Sequence, residues 1–221
     1  MLRRAMRFSP IGLFALALLW LLVTVGPAGA RSLDPEPAFS EANHRSAGVF
    51  LLALAGVIVW ESRRPRPFPW SALSAPLWIV LGVFLFVRSD PEAWPYGPKS
   101  VAEIFGDPLV LQHKILTLIP AAIGLVEGLQ KSGRLQQVEW RYLFPGLGLF
   151  GGASLFLHFH DSGLHLSGIY LQHAVMGVTS LGVGATLLFA RRGEQAGGAL
   201  DRAWPALIAV LGLLLLFYSE G

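Results

Sequence analysis

The sequence predicts an all-α, polytopic transmembrane helix bundle, and three observations carry that expectation. Of the 221 residues, 53% are hydrophobic and only 14% charged, whereas soluble domains carry about 25% charged residues. The apolar residues fall in blocks of roughly 16 to 22, the length that crosses about 30 Å of hydrocarbon as helix. Short segments between the blocks hold nearly all the Arg, Lys, Asp and Glu.

Residues 1–30 read as a signal peptide or an uncleaved first helix. Arg3, Arg4 and Arg7 precede an apolar run from Ile11 to Val25, and Gly26-Pro27-Ala28-Gly29-Ala30 closes it with small residues, the layout of a secretory signal. Residues 31–221 then form a single membrane domain of about six spans: Asn43 to Trp60, Ala72 to Val87, His113 to Gly128, Tyr142 to Phe159, Ser167 to Ala190, and Ala203 to Tyr218. Pro76 lies in the first turns of the second span, where the leading N–H groups have no helical partner to lose.

Charge sets the expected orientation. With residue 31 outside, the inner loops 61–71, 127–141 and 191–202 hold nine basic residues against five acids, and the outer segments hold nine acids against five basic residues. Insertion favours positive charge on the cytoplasmic side, so the chain is expected in a bacterial inner membrane with its C-terminus outside. Basic residues placed this way account for the net charge of +3 without nucleic acid as a partner. The absence of cysteine excludes disulfides and thiolate metal sites.

In that orientation all six histidines fall in the outer half. His44 begins the first span, His113 begins the third, and His158 and His160 end the fourth. His165 lies in the following turn and His173 sits inside the fifth. Ionisable groups within spans are commonly functional or paired in the bundle interior. Asp161, Ser162 and Gly163 supply a break that folds His160 or His165 back over the bundle. Met176, three positions after His173, shares its helix face. Imidazole with thioether suits copper, and imidazole with carboxylate also suits zinc or iron. Asp161 is either a ligand or the acceptor that fixes a histidine tautomer. Gln112 and Gln172, each preceding a histidine, can orient that neighbour or pair with another helix.

Other features bear on packing. Gly148-x-x-x-Gly152 in the fourth span, with Gly177, Gly182 and Gly184 in the fifth, predicts a close antiparallel hairpin. Glu127 and Arg141 are expected to pair across a short loop. Trp94, Tyr96 and Phe105, in the outer loop from Arg88 to Gln112, are aromatic residues suited to interfacial depth. No phosphate cradle, nucleotide fingerprint or protease motif is present, which favours a binding role over an enzymatic one.

The signal-like start, the outward histidines near helix ends, the His158-x-His160-Asp161 segment and His173-x-x-Met176 resemble the integral membrane proteins of the bacterial copper resistance D type. The resemblance covers about residues 40 to 218. It implies copper handling at the cytoplasmic membrane beside a periplasmic copper-binding protein or a membrane metalloenzyme. The copper role it implies falls on His158, His160, His165 and His173, then on His44 and His113. This chain has fewer spans than that type commonly has, and only three methionines, so binding or delivery fits better than direct transport. The alternatives are a heme b or non-heme iron redox protein using the same histidines, with His113 or His158 as the second ligand beside His173, and a cofactor-free assembly subunit.

Overall fold

A computed structural model of the chain describes residues 35–63, 73–157, 168–192 and 198–220. Its helices are α1 (Pro35–Ser62), α2 (Ser74–Arg88), α3 (Val101–Gly106), α4 (Pro108–Lys131), α5 (Leu143–Ser154), α6 (Gly168–Arg192) and α7 (Ala199–Leu216). Short 3-10 turns, Val138–Tyr142 and Leu155–Leu157, flank α5. The signal segment lies outside the described residues.

Four helices, α1, α4, α6 and α7, are long and apolar enough to cross a membrane. Their outward faces carry large exposed apolar residues, among them Val49, Leu118, Val178 and Val210, and such a belt requires lipid rather than water around it. The protein is a multi-pass α-helical membrane protein. Of the six expected spans, the other two are shorter. α2 has 15 residues and α5 has 12, or about 22 Å and 18 Å of helix at about 1.5 Å per residue. The α5 sequence LFPGLGLFGGAS explains its shortness: its many glycines weaken helix propensity, and the chain tightens into a 3-10 turn at Leu155.

The six longer helices close into a ring in the order α1, α7, α6, α5, α4, α2 and back to α1, each packed on two neighbours. Small residues allow the closest approaches. A Cβ on Gly124 would stand 2.5 Å from the Ala75 carbonyl oxygen, and one on Gly152 would stand 2.7 Å from Leu181 N. Gly148 lies against Gly184, and Gly152 against Gly177 and Leu181, so α5 and α6 form the antiparallel hairpin expected of them. The starts of α1, α4 and α6 and the ends of α2, α5 and α7 share one end of the bundle, here the histidine end. The opposite end carries Arg63, Lys131, Arg141 and Arg191.

The ring is filled. Leu54, Leu81, Phe84 and Ile208 are fully buried at its centre. Towards the arginine end three alternate helices each contribute an aromatic ring: Trp78 meets Phe144 edge to face at 5.7 Å, and Phe144 meets Trp204 at 5.9 Å. These three rings pack with the apolar core between the two ends of the bundle.

The glycine contacts yield a stability prediction. Gly124→Val should destabilise the folded protein by about 1–3 kcal/mol, the cost of overpacking, because its branched side chain meets backbone. Gly56→Ala, where nothing lies within 4 Å, should be neutral or stabilising by up to about 1 kcal/mol. Denaturant unfolding in detergent micelles measures both.

Candidate functional site

Two helix starts build the site. His44 stands in the opening turns of α1 and donates its Nδ1–H to the Ser40 carbonyl at 2.9 Å. His173 in α6 does the same to the Ile169 carbonyl, also at 2.9 Å. A carbonyl only accepts, so each neutral imidazole is held as the Nδ1–H tautomer with its lone pair on Nε2. Backbone carbonyls serve this purpose for many metal-binding histidines, fixing ring orientation and raising basicity. The two rings approach to 5.9 Å between centroids at 88°. His173 is 3% exposed.

The third member is Tyr218. Its ring stacks on His44 at 3.9 Å and 22°, and meets His173 edge-on at 5.6 Å. It is completely buried. Residues 217–220, which follow α7, form a strap that keeps it there. Gln172 donates its Nε2–H to the Ser219 carbonyl at 2.7 Å and accepts from Ser219 N at 3.1 Å. Glu41 accepts from Ser219 Oγ and Glu220 N at 3.1 and 2.9 Å. Tyr218 donates its hydroxyl to Glu220 at 3.1 Å.

A second polar group shares this end. The last carbonyls of α2 have no helical donors, and neighbouring helices supply them. Asn43 Nδ2 donates to the Arg88 carbonyl at 2.6 Å, and Lys114 Nζ donates to the Phe86 carbonyl at 2.7 Å. Arg88 in turn donates Nε–H to Asn43 Oδ1 at 2.7 Å, and its guanidinium lies over Phe39 at 4.7 Å and Tyr96 at 5.5 Å. Arg88 and Lys114, counted by sequence as outer charges, are buried cations at the C-terminal, negative end of a helix dipole. Asn43 and His44, adjacent on α1 and so about 100° apart, serve different ring neighbours: Asn43 faces α2 and His44 faces α7.

The arginine end carries a network that sequence reading missed. Glu61 accepts from Ser74 N at 3.0 Å and so caps α2 from another helix. The Ser74 hydroxyl lies 2.9 Å from Glu61 Oε2 and 2.8 Å from Glu127 Oε1. Lys131 Nζ reaches Glu61 at 2.6 Å and Glu127 at 2.8 Å. The expected Glu127–Arg141 pair is therefore corrected: Glu127 takes Lys131, one helical turn away, and the Arg141 carbonyl accepts from Arg191. Position alone could have suggested the i,i+4 pair of Glu127 with Lys131; nothing in the sequence points to Ser74 between two carboxylates.

The sequence-predicted residues fare differently. His173 and His44, both members of the expected ligand set, meet, a pairing other than the His113 or His158 that the heme alternative set beside His173. His113 lies on α4, the helix opposite α7 in the ring, beside Lys114 and Gln112. Met176 is buried one turn below His173 and lines an apolar groove of about 420 Å³ between α6 and α7 with Leu171, Val175, Leu213 and Phe217. Gln172 pairs with Ser219. His158, His160, Asp161 and His165 lie outside the described residues. Among the described residues no group of three or more His, Cys, Asp or Glu side chains is placed to hold a metal ion. Tyr218 gave no signal in sequence, where it reads as the end of an apolar run.

Comparison of the chain with protein-family models, with characterised proteins and with solved structures finds no match in any of the three.

Burial, and then the Glu220 and Glu41 carboxylates, push the Tyr218 phenol well above the ordinary tyrosine range. The folded protein should keep it protonated past about pH 10, where exposed tyrosines ionise. In the unfolded chain it ionises first, so its contribution to stability is intact below about pH 10 and is lost as pH rises beyond it. The phenolate absorbance of folded wild type and Tyr218→Phe should therefore rise identically through that range. An extra phenolate in wild type would contradict this.

Proposed function

We propose that the protein binds a transition metal ion, copper first, at the histidine end of the bundle, for capture and delivery rather than for passage through the ring. The observation that carries the reading is the meeting of His44 and His173, 129 positions apart in sequence, as Nδ1–H tautomers at 5.9 Å. Two imidazoles whose orientation is set by backbone carbonyls are a ready pair of ligands for copper, zinc or iron. His158, His160 and His165, which lie outside the described residues, remain candidate further ligands on the sequence alone. Glu41 and Glu220 add negative charge that raises the local cation concentration.

In the same reading α2 and α5 also cross the bilayer, giving six spans, because both are members of the closed ring. The histidine end faces outward, supported by the excess of basic residues in the loops at the other end. The three packed aromatic rings favour binding and hand-over to a periplasmic copper-binding protein or membrane metalloenzyme. The resemblance to the copper resistance D type agrees with it. The alternative use of two such imidazoles is axial ligation of a heme b iron, which the same experiment separates.

Protein purified in mild detergent should bind about one copper per chain when titrated against competing chelators. His44→Ala and His173→Ala should each weaken that binding at least tenfold while the helical signal is retained. Copper-free wild type, or unchanged affinity in both variants, would overturn the metal reading, and a Soret band would replace it with heme. In intact cells a membrane-impermeant thiol reagent should label Lys99→Cys, since the wild-type chain has no cysteine. Labelling only after lysis would invert the orientation.

A further inference from the structure

The segment between α2 and α4 is a folded unit with two unlike sides. Asp90 Oδ1 accepts from Glu92 N at 2.8 Å and Ala93 N at 3.0 Å, and Ala93 bridges to Lys99. Lys99 Nζ pairs with Glu92 at 2.9 Å and reaches Asp107 at 3.7 Å. Ser100 and Glu103 form a reciprocal cap on α3, and Asp107 caps α4. Ala93, Ile104 and Val110 are buried together as a small core of its own. On the inner side Tyr96 packs on Phe39 at 5.3 Å and under the Arg88 guanidinium.

Its other side leaves large apolar groups uncovered: Trp94 is 48% exposed, Val101 48% and Phe105 70%. This exposure is built in, because the segment already has a core, two caps and ion pairs to hold it. Val101, Phe105 and Leu109 are spaced four residues apart along the chain, all exposed, while Ile104 turns inward. Trp94 meets Phe86 edge to face at 6.4 Å. Phe86 continues the outward stripe of α2, in which Ile79 and Val83 are exposed one turn apart. The uncovered side is thus joined by direct contact to a helix face of the bundle's apolar perimeter.

We propose that this side of the loop docks into the lipid headgroup layer of the protein's own bilayer, with Trp94, Val101 and Phe105 as its inserted residues. Indole at the junction of an apolar stripe and a polar segment is the chemistry of the membrane interface. Lys99 offsets one of the two carboxylates it pairs with, Glu92 and Asp107, and in this proposal these charged groups stay at the aqueous edge of the headgroup layer while Trp94, Val101 and Phe105 enter it. Tyr96, 38% exposed, also packs on Phe39 and beneath the Arg88 guanidinium, and it is not counted among the inserted residues. The docked loop would fix the height of α2 and α4, and with them Arg88 and Lys114, just beneath the headgroups. The inference does not depend on metal binding.

The cysteine-free chain allows a direct test. Spin labels on Phe105→Cys, Val101→Cys and Lys99→Cys, each in the full chain reconstituted into phosphatidylcholine–phosphatidylglycerol vesicles, report collision with oxygen, which concentrates in lipid, and with a water-soluble nickel chelate. The ratio of oxygen to nickel accessibility should be severalfold higher at positions 101 and 105 than at 99. Brominated lipids should quench less tryptophan fluorescence in Trp94→Phe than in wild type. A ratio at 105 equal to that at 99 would place the side in water and overturn the proposal. Shielding of 101 and 105 from both reagents would mean a protein surface covers them, and would overturn it equally. Val101 and Phe105 are exposed and Lys99 is ion-paired within the loop, so circular dichroism and elution volume in detergent check the fold of each variant independently.

Discussion

The closure of the ring between its first and last helices is the constraint on which the rest of the structure depends. α1 and α7 meet through Gly48 and Gly212, where a Cβ on Gly48 would stand 2.6 Å from the Gly212 carbonyl oxygen and 2.7 Å from Leu216 N. Any side chain there would drive the backbones apart. Gly48 lies one turn beyond His44, and Gly212 lies under two turns before Tyr218. The close approach therefore sets where the stacked His44–Tyr218 pair forms. α7 also packs on α6, which brings His173 to the other edge of the same tyrosine.

Polarity is arranged around that closure by the need to satisfy backbone groups in a medium without water. Helix ends hold most of the carbonyls and N–H groups without helical partners, and polar side chains gather there. At the histidine end Asn43 and Lys114 serve the carbonyls of α2, and Gln172 and Glu41 serve the strap. At the other end Glu61 serves the first N–H of α2. His44 and His173 belong to the same logic in one respect: each uses one nitrogen to bond the carbonyl four residues back. In the proposed metal reading the second nitrogen of each ring is the ligand. Between the two ends the Trp78–Phe144–Trp204 rings and the apolar core separate the polar layers.

Much of the architecture was legible in the sequence because apolar block length and loop charge are one-dimensional properties. Four of the six expected spans are helices long enough to cross a membrane and the other two fall on the shorter α2 and α5, and the glycine spacing of α5 and α6 foretold their contact. The shortness of α2 and α5 was less legible: hydropathy counts apolar residues and cannot see where glycine and proline end the helix. The site was legible only in half. His173 stood out by depth and His44 by its one-sidedness with the other histidines, but their meeting depends on which helix sits between α1 and α6. Nothing in the local pattern states that α7 does. Tyr218 was invisible for the same reason. Arg88 and Lys114 entered the charge count only as outer residues, because their burial and their interhelix partners are tertiary properties that such a count does not see.

Ring closure at Gly48 and Gly212 brings His44 and His173 together. Cysteines at positions 44 and 173 in the otherwise cysteine-free chain should crosslink within one molecule when membranes are treated with a short bifunctional thiol reagent. Adding Gly212→Leu, which touches neither position, should abolish the crosslink while α5 and α6 still crosslink through cysteines at Gly148 and Gly184. A folded protein that forms no 44–173 crosslink, or one whose crosslink is indifferent to Gly212→Leu, would contradict it.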